Sequence, residues 1–274
     1  MSSPPTILVF DSGLGGLTVF REIAATRPDA RFIYAADDTF FPYGRHGEAR
    51  LVERVLAVIG ELILSLHPDL VVIACNTAST LVLPQLRARF AIPFVGTVPA
   101  IKPACASSRS KLVSVLGTEA TVAREYTRTL IAEYAQGCAV TLVGSRRLAV
   151  LAEAALNGEE VSDADITEEI KSCFIEKDGA RTDTIALACT HYPILIDRLK
   201  ALSPWQVEWI DPALAIARRV VELLGPPTST APAKPARLIL TSGKIPSPAL
   251  SASLARFGVA PTAAAAFDTS PQSP

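Results

Sequence analysis

Leu70-Val71-Val72-Ile73-Ala74-Cys75-Asn76-Thr77-Ala78-Ser79-Thr80 is an apolar run that ends on a cysteine and turns at once to small polar residues. A short apolar run bounded in this way predicts a strand buried on both faces. Cys75 then stands at the strand's carboxyl end, where open parallel sheets bind their ligands. The pattern recurs at Thr184-Ile185-Ala186-Leu187-Ala188-Cys189-Thr190-His191-Tyr192-Pro193. Two thiols at matched strand ends predict an α/β fold of two pseudo-symmetric, open parallel-sheet lobes. Helices cover both faces of each sheet, and an active site lies in the cleft between the lobes.

The flanking sequence carries a second pair of matched positions. A strand over 6–10 runs into Asp11-Ser12-Gly13-Leu14-Gly15-Gly16, and a helix is expected over 17–27. This turn fits neither the dinucleotide fingerprint nor the P-loop, though a helix N-terminus there could hold an anion. Asp11, at the end of its strand, faces the same crevice as Cys75. A strand over 112–116 ends in Gly117-Thr118-Glu119-Ala120-Thr121 and stands to Cys189 as the Asp11 loop stands to Cys75. The expected lobes are residues 1–99 plus 210–274, carrying Asp11 and Cys75, and residues 100–209, carrying Thr118 and Cys189. Two prolines in 98–104 mark the crossing between them.

Between these landmarks a polar loop, Asp37 to Gly44, suits a cleft mouth. An amphipathic helix is expected over 48–66, ended by His67-Pro68. Further helices are expected over 77–90, 120–134, 147–156, 162–177, 194–202 and 248–257. Asp211 is expected to cap a helix running to 224. Residues 225–236, rich in Pro, Thr, Ser and Ala, read as a flexible linker before a strand at 237–241. The tail from Thr262 reads as frayed.

Composition narrows the function. The 274 residues are 49% hydrophobic and 19% charged with a net charge of −1, enough for a sizeable core and without a basic footprint for nucleic acid. No apolar stretch is long enough to span a membrane, and the first residues do not read as a secretory signal. Five cysteines without a C-x-x-C pair favour reduced thiols and a cytoplasmic setting.

Facing thiols allow three chemistries. Cys75, Cys189 and His191 could ligate zinc, but no compact fourth ligand accompanies them. One cysteine could be a nucleophile with His191 as its base, which leaves the other thiol without a role. Both could move protons. Racemising a carbon needs a base on one face and an acid on the other, and a thiol with a reference pKa of about 8.5 can serve as either once its surroundings tune it. Asp11 could assist Cys75, and His191 could assist Cys189. A pair of inert core cysteines is the bland alternative, as is a two-lobed amino-acid-binding protein without catalysis.

Asp11-Ser12-Gly13, Pro42-Tyr43-Gly44, Cys75-Asn76-Thr77-Ala78-Ser79 and Cys189-Thr190-His191-Tyr192-Pro193 together resemble the glutamate racemases of bacterial cell-wall synthesis, in order and spacing, across residues 6–224. The resemblance implies cofactor-independent interconversion of L- and D-glutamate, the D-isomer feeding peptidoglycan precursors, with no metal. It implies Cys75 and Cys189 as the acid/base thiols, assisted by Asp11 and His191. Asp11, Ser12, Tyr43, Gly44, Asn76, Thr77, Thr190 and His191 would bind substrate, with Thr118 and Thr121 lining the second-lobe side. A related racemase acting on aspartate is the close rival. Many members carry a proline in the strand at 139–143 and a glutamate at its end, where this chain has Thr141 and Gly144-Ser145. Val98 to Pro103, Leu151 to Ala154 and Asn157 to Ser162 resemble a branch activated by a peptidoglycan precursor. The family often forms homodimers.

Overall fold

The computed structural model describes residues 3–229 and 233–260. The tail from Thr262 lies outside them. Strand β1 (Thr6–Asp11) leads to α1 (Leu17–Thr26), β2 (Arg31–Ala36), α2 (Glu48–Leu66), β3 (Leu70–Ile73), α3 (Asn76–Arg89), β4 (Phe94–Gly96) and α4 (Ile101–Ser107). Then follow β5 (Leu112–Thr118), α5 (Glu119–Ala123), α6 (Glu125–Tyr134), β6 (Ala139–Ser145), α7 (Leu148–Leu156) and α8 (Asp163–Ile170). A small hairpin, β7 (Glu176–Lys177) and β8 (Ala180–Arg181), precedes β9 (Thr184–Ala188), α9 (Ile196–Ala201), β10 (Glu208–Ile210) and α10 (Ala213–Leu224). The described chain closes with β11 (Ala236–Leu240), α11 (Pro248–Arg256) and β12 (Val259–Ala260).

Two parallel sheets result. The larger runs β4-β3-β1-β2-β11-β12 and the smaller β10-β9-β5-β6. The first four strands of each follow one plan: a central strand, its successor on one side, and the cysteine-bearing strand on the other. Asp11 and Thr118 end the two central strands, and Cys75 and Cys189 follow β3 and β9. Both helical faces of each sheet follow from the alternation of side chains along a strand. On β1, Ile7 and Val9 pack under α1, α10 and α11, while Leu8 and Phe10 pack under α2 and α3. On β9, Ile185 and Leu187 face α7, α8 and α9, and Ala186 and Ala188 face α4. These central side chains are buried, and the isoleucines, leucines, valine and phenylalanine among them each contribute about 1.5–3 kcal/mol.

Several boundaries differ from the sequence expectation. The crossing at 98–104 contains helix α4, because Pro103 falls in its first turn, where a missing N–H costs no helical bond. The helix expected over 120–134 breaks at Arg124, whose ψ of 140° is extended; Thr118 caps the short α5 by accepting from Thr121 N–H. The helix expected over 162–177 stops at Ile170. Asp178 and Gly179, both at positive φ, turn the β7–β8 hairpin instead, as an Asp-Gly pair favours. Ser162 caps α8, and His67 ends α2 in the left-handed region. Pro212, not Asp211, takes the N-cap position of α10, while Asp211 one residue earlier accepts from Ala213 N–H at 2.9 Å. The segment read as a 225–236 linker already enters β11 at Ala236; 230–232 lie outside the described residues. The β11 strand pairs with β2, and α10 packs on the first sheet through Ala213, Ile216, Ala217 and Val220.

Candidate active site

The carboxyl ends of both sheets meet at a cavity of about 20 Å³, room for about one water. Ten of the residues expected in the site line it: Ser12, Tyr43, Gly44, Cys75, Asn76, Thr77, Thr118, Cys189, Thr190 and His191. Phe41, Pro42 and Ala149 complete the wall. Two expected residues stand behind it. Thr121 lies one layer back, its hydroxyl 3.1 Å from that of Thr77 and 2.9 Å from that of Thr118. Asp11 is wholly buried and accepts from Ser12 N–H at 2.7 Å, Gly16 N–H at 2.6 Å and the Thr190 hydroxyl at 3.3 Å. Burial holds its carboxyl above the ordinary carboxylate pKa, against the opposing pull of His191 and of those N–H groups.

The Gly-rich turn gives its Ser12 and Gly16 amides to Asp11 and its Leu14 amide to Glu153. Its glycines serve close packing. A Cβ on Gly15 would lie 2.7 Å from the His191 backbone nitrogen.

Cys75 is the N-cap residue of α3 and is nearly buried. Its thiol donates to Ser12 Oγ at 3.6 Å. Burial first, then the nearby Asp11 charge, push its pKa up, while Ala78 N–H and Ser12 pull it down. The net effect keeps Cys75 as a thiol at neutral pH. Beside it, both polar atoms of the buried Asn76 amide lack a protein partner among the described residues. A buried amide left unpaired at a helix start is costly unless a ligand satisfies it.

The second thiol has different neighbours. Cys189 Sγ lies 3.8 Å from His191 Nδ1, and His191 Nε2 lies 2.8 Å from Glu153 Oε1. Burial would lower the imidazole pKa, but the hydrogen bonds to Cys189 and Glu153 and their charges outweigh it and raise it well above the ordinary value. That direction favours the protonated ring, with Nδ1–H toward the sulfur and Nε2–H toward the carboxylate. Gly15 N–H also points at Nε2, at 3.2 Å. Glu153 also accepts from Leu14 N–H at 2.5 Å, which ties α7 to the β1 loop.

Glu153 escaped the sequence reading as a site residue. Its signal is visible in retrospect: it is the sole charge in the apolar helix Leu148–Leu156, four residues after Ala149 and so on the same face. No lysine or arginine lines the cavity among the described residues. A carboxylate bound there would be held by amides and hydroxyls.

Comparison with known proteins accords with this geometry. The family model described as Asp/Glu/Hydantoin racemase matches residues 16–220. A glutamate racemase of Brucella anthropi is 57% identical over 221 residues, covering 80% of each chain. One from Brucella canis is 56% identical over 219 residues, 80% of this chain and 79% of the relative. The crystal structure of Escherichia coli glutamate racemase in complex with L-glutamate and the activator UDP-MurNAc-ala superposes with a TM-score of 0.85 at 40% identity, covering 93% of this chain and 96% of that one.

Proposed function

Since the chain belongs to the Asp/Glu/hydantoin racemase family as a glutamate racemase, we propose that it interconverts L- and D-glutamate through two opposed thiols, without a cofactor, and supplies D-glutamate to peptidoglycan synthesis. The observation that carries this reading is one cavity walled by Cys75 from one sheet and Cys189 from the other. In this scheme one sulfur, as thiolate, takes the α-proton from its face of the substrate while the other, as thiol, delivers a proton to the opposite face. The carbon inverts, and the two sulfurs exchange protonation states. In the direction that starts from the resting site, Cys75 is the donor. The imidazole of His191, 3.8 Å from Cys189 Sγ, favours that sulfur as the thiolate base, and the reverse reaction from the exchanged state returns both sulfurs to their starting forms.

The α-proton of an amino acid is very weakly acidic, so the carbanion-like transition state needs strong stabilisation. Preorganised dipoles in a water-poor site supply it. Here they are the first amides of α3, the Asn76 side chain and the hydroxyls of Ser12, Thr77 and Thr190. So narrow a cavity fits a closed form of the site, in which the lobes part to load substrate and close again around it. On this reading the two lobes are residues 1–99 with 210–274, and residues 100–209. The peptidoglycan precursor bound by the Escherichia coli relative is proposed to activate this chain as well.

Incubating purified protein with D-glutamate in deuterated water tests the reading. Loss of optical rotation together with deuterium at the α-carbon supports it. Activity with D-aspartate alone changes the substrate and keeps the mechanism. Silence with both, persisting after UDP-MurNAc-ala is added, overturns it.

A further inference from the structure

A buried polar hub sits behind the substrate loop. Asp37, wholly buried, follows β2, and its N–H donates to the Asp11 carbonyl at 2.9 Å. Its carboxylate takes four hydrogen bonds. Arg54 of α2 supplies two, at 2.6 and 3.0 Å. The Tyr43 phenol supplies one at 2.8 Å, and the Thr241 hydroxyl the fourth, also at 2.8 Å. Thr241 directly follows β11 and so belongs to the segment that returns to the first sheet after the second is complete. It is nearly buried, and its oxygen also accepts from Thr39 N–H at 3.3 Å. Next to it, Ser242 N–H donates to Asp38 at 2.9 Å. The end of β11 thus grips the 37–39 turn that leads into Pro42-Tyr43-Gly44, and all three of those residues line the catalytic cavity.

We propose that Thr241 is a positioning residue for glutamate binding: by fixing the Asp37 carboxylate it orients Tyr43 and the loop that receives the substrate. Arg54 and Thr241 share Oδ1, while Tyr43 and Arg54 share Oδ2. Without the Thr241 hydroxyl, Asp37 keeps Arg54 as its only partner on Oδ1 and is free to rotate toward the guanidinium. Oδ2 then shifts from the line of the Tyr43 O–H, and the loop loses one of its buried anchors. The reacting sulfurs and the Asp11 and His191 contacts are untouched. The effect therefore falls on binding rather than on proton transfer.

This inference rests on the glutamate racemase reading. Its test is steady-state kinetics of the full chain in both directions. Thr241→Val removes the hydroxyl at nearly constant volume. It is expected to raise KM for D- and L-glutamate about tenfold, the scale of one lost hydrogen bond to a charged group, with kcat within about twofold. Thr241→Ser is expected to restore KM. Tyr43→Phe combined with Thr241→Val is expected to raise KM no further than Tyr43→Phe alone, since both act through Asp37. An unchanged KM with a lowered melting temperature would make Thr241 purely structural and overturn the proposal, as would a fall in kcat at constant KM. If the valine variant does not fold, Thr241→Ala must show the same split. Wild-type protein that fails to racemise glutamate defeats the functional reading; wild type that racemises it while the variants keep their KM defeats this inference alone.

Discussion

The two halves of the candidate site share a backbone plan and differ in chemistry. Cys75 begins a fourteen-residue helix and has a hydroxyl, an amide N–H and a buried carboxylate around it. Cys189 leads through His191 into a 3-10 turn over Tyr192–Leu195, and its neighbour is an imidazole held by Glu153. One half keeps its thiol protonated through burial and a nearby negative charge. The other sets a cation against its sulfur. A racemase acts on mirror-image substrates, yet its active site is built of L-residues and need not be a mirror. It needs only two groups that can trade roles, and unlike surroundings give it one donor ready at the start.

The largest test of this comparison removes the sulfurs. Cys75→Ala and Cys189→Ala are each expected to lower kcat/KM about 10²–10⁴-fold, the range typical of a lost proton-transfer group. Optical rotation measures both. A variant that kept a tenth of wild-type activity would show that its half contributes no essential proton step.

An intermediate effect is expected from Glu153→Gln, which acts on one half only. Activity should fall about tenfold by loosening His191, and the loss carries a pH sign. The folded-state pKa of His191 is raised, so the stabilisation from its pair with Glu153 is fully present below about pH 6.5 and fades as pH rises through the raised value. Calorimetry should find the melting-temperature gap between wild type and variant widest near pH 6 and narrowing above about 6.5. A gap that widened with pH would contradict a protonated ring.

The smallest effect belongs to Asp183, at the opposite end of β9 from Cys189. It accepts from Ser108 Oγ, Arg109 N–H, Ser110 N–H and Thr184 Oγ1. Burial would raise its pKa, but these bonds outweigh it and lower the value to about 2. Their stabilisation is present above about pH 4 and is lost as pH falls toward 2. Asp183→Asn should lower the melting temperature at neutral pH by about 2–4 °C and leave racemisation unchanged. A loss of activity would mean that the amino ends of the strands also tune the thiols.

Much of this was legible in the sequence, because fold and chemistry are written in one place. The apolar runs ending at Cys75 and Cys189 specify buried parallel strands and their ligand-facing ends together. The glutamate racemase resemblance seen in the four motifs accords with the family match and the relatives. What escaped notice depends on distant partners. Arg124 breaks a periodic helix where Thr118 caps the turn before it, and periodicity does not register a cap. The Asp178-Gly179 turn was overridden by helical spacing around it. Glu153 looks like an ordinary charge on an apolar helix until α7 meets His191. Thr241 gains its importance only through Asp37, two hundred positions earlier.

The return of β11 to β2 has a consequence for synthesis on the ribosome. Residues 6–96 emerge first and can assemble β4-β3-β1-β2, but the outer edge of β2 then has no partner. That edge is covered only when residues 236–240 appear. At about 5–20 residues per second this takes roughly 7–30 seconds, while the entire second sheet is being made. Throughout that interval Phe32 and Tyr34 lie along a bare strand, the kind of surface that invites pairing with a neighbouring nascent chain. The late-arriving strand is therefore also what ends the nascent protein's exposure to aggregation, and chains truncated before residue 236 should depend on chaperones far more than the full-length product.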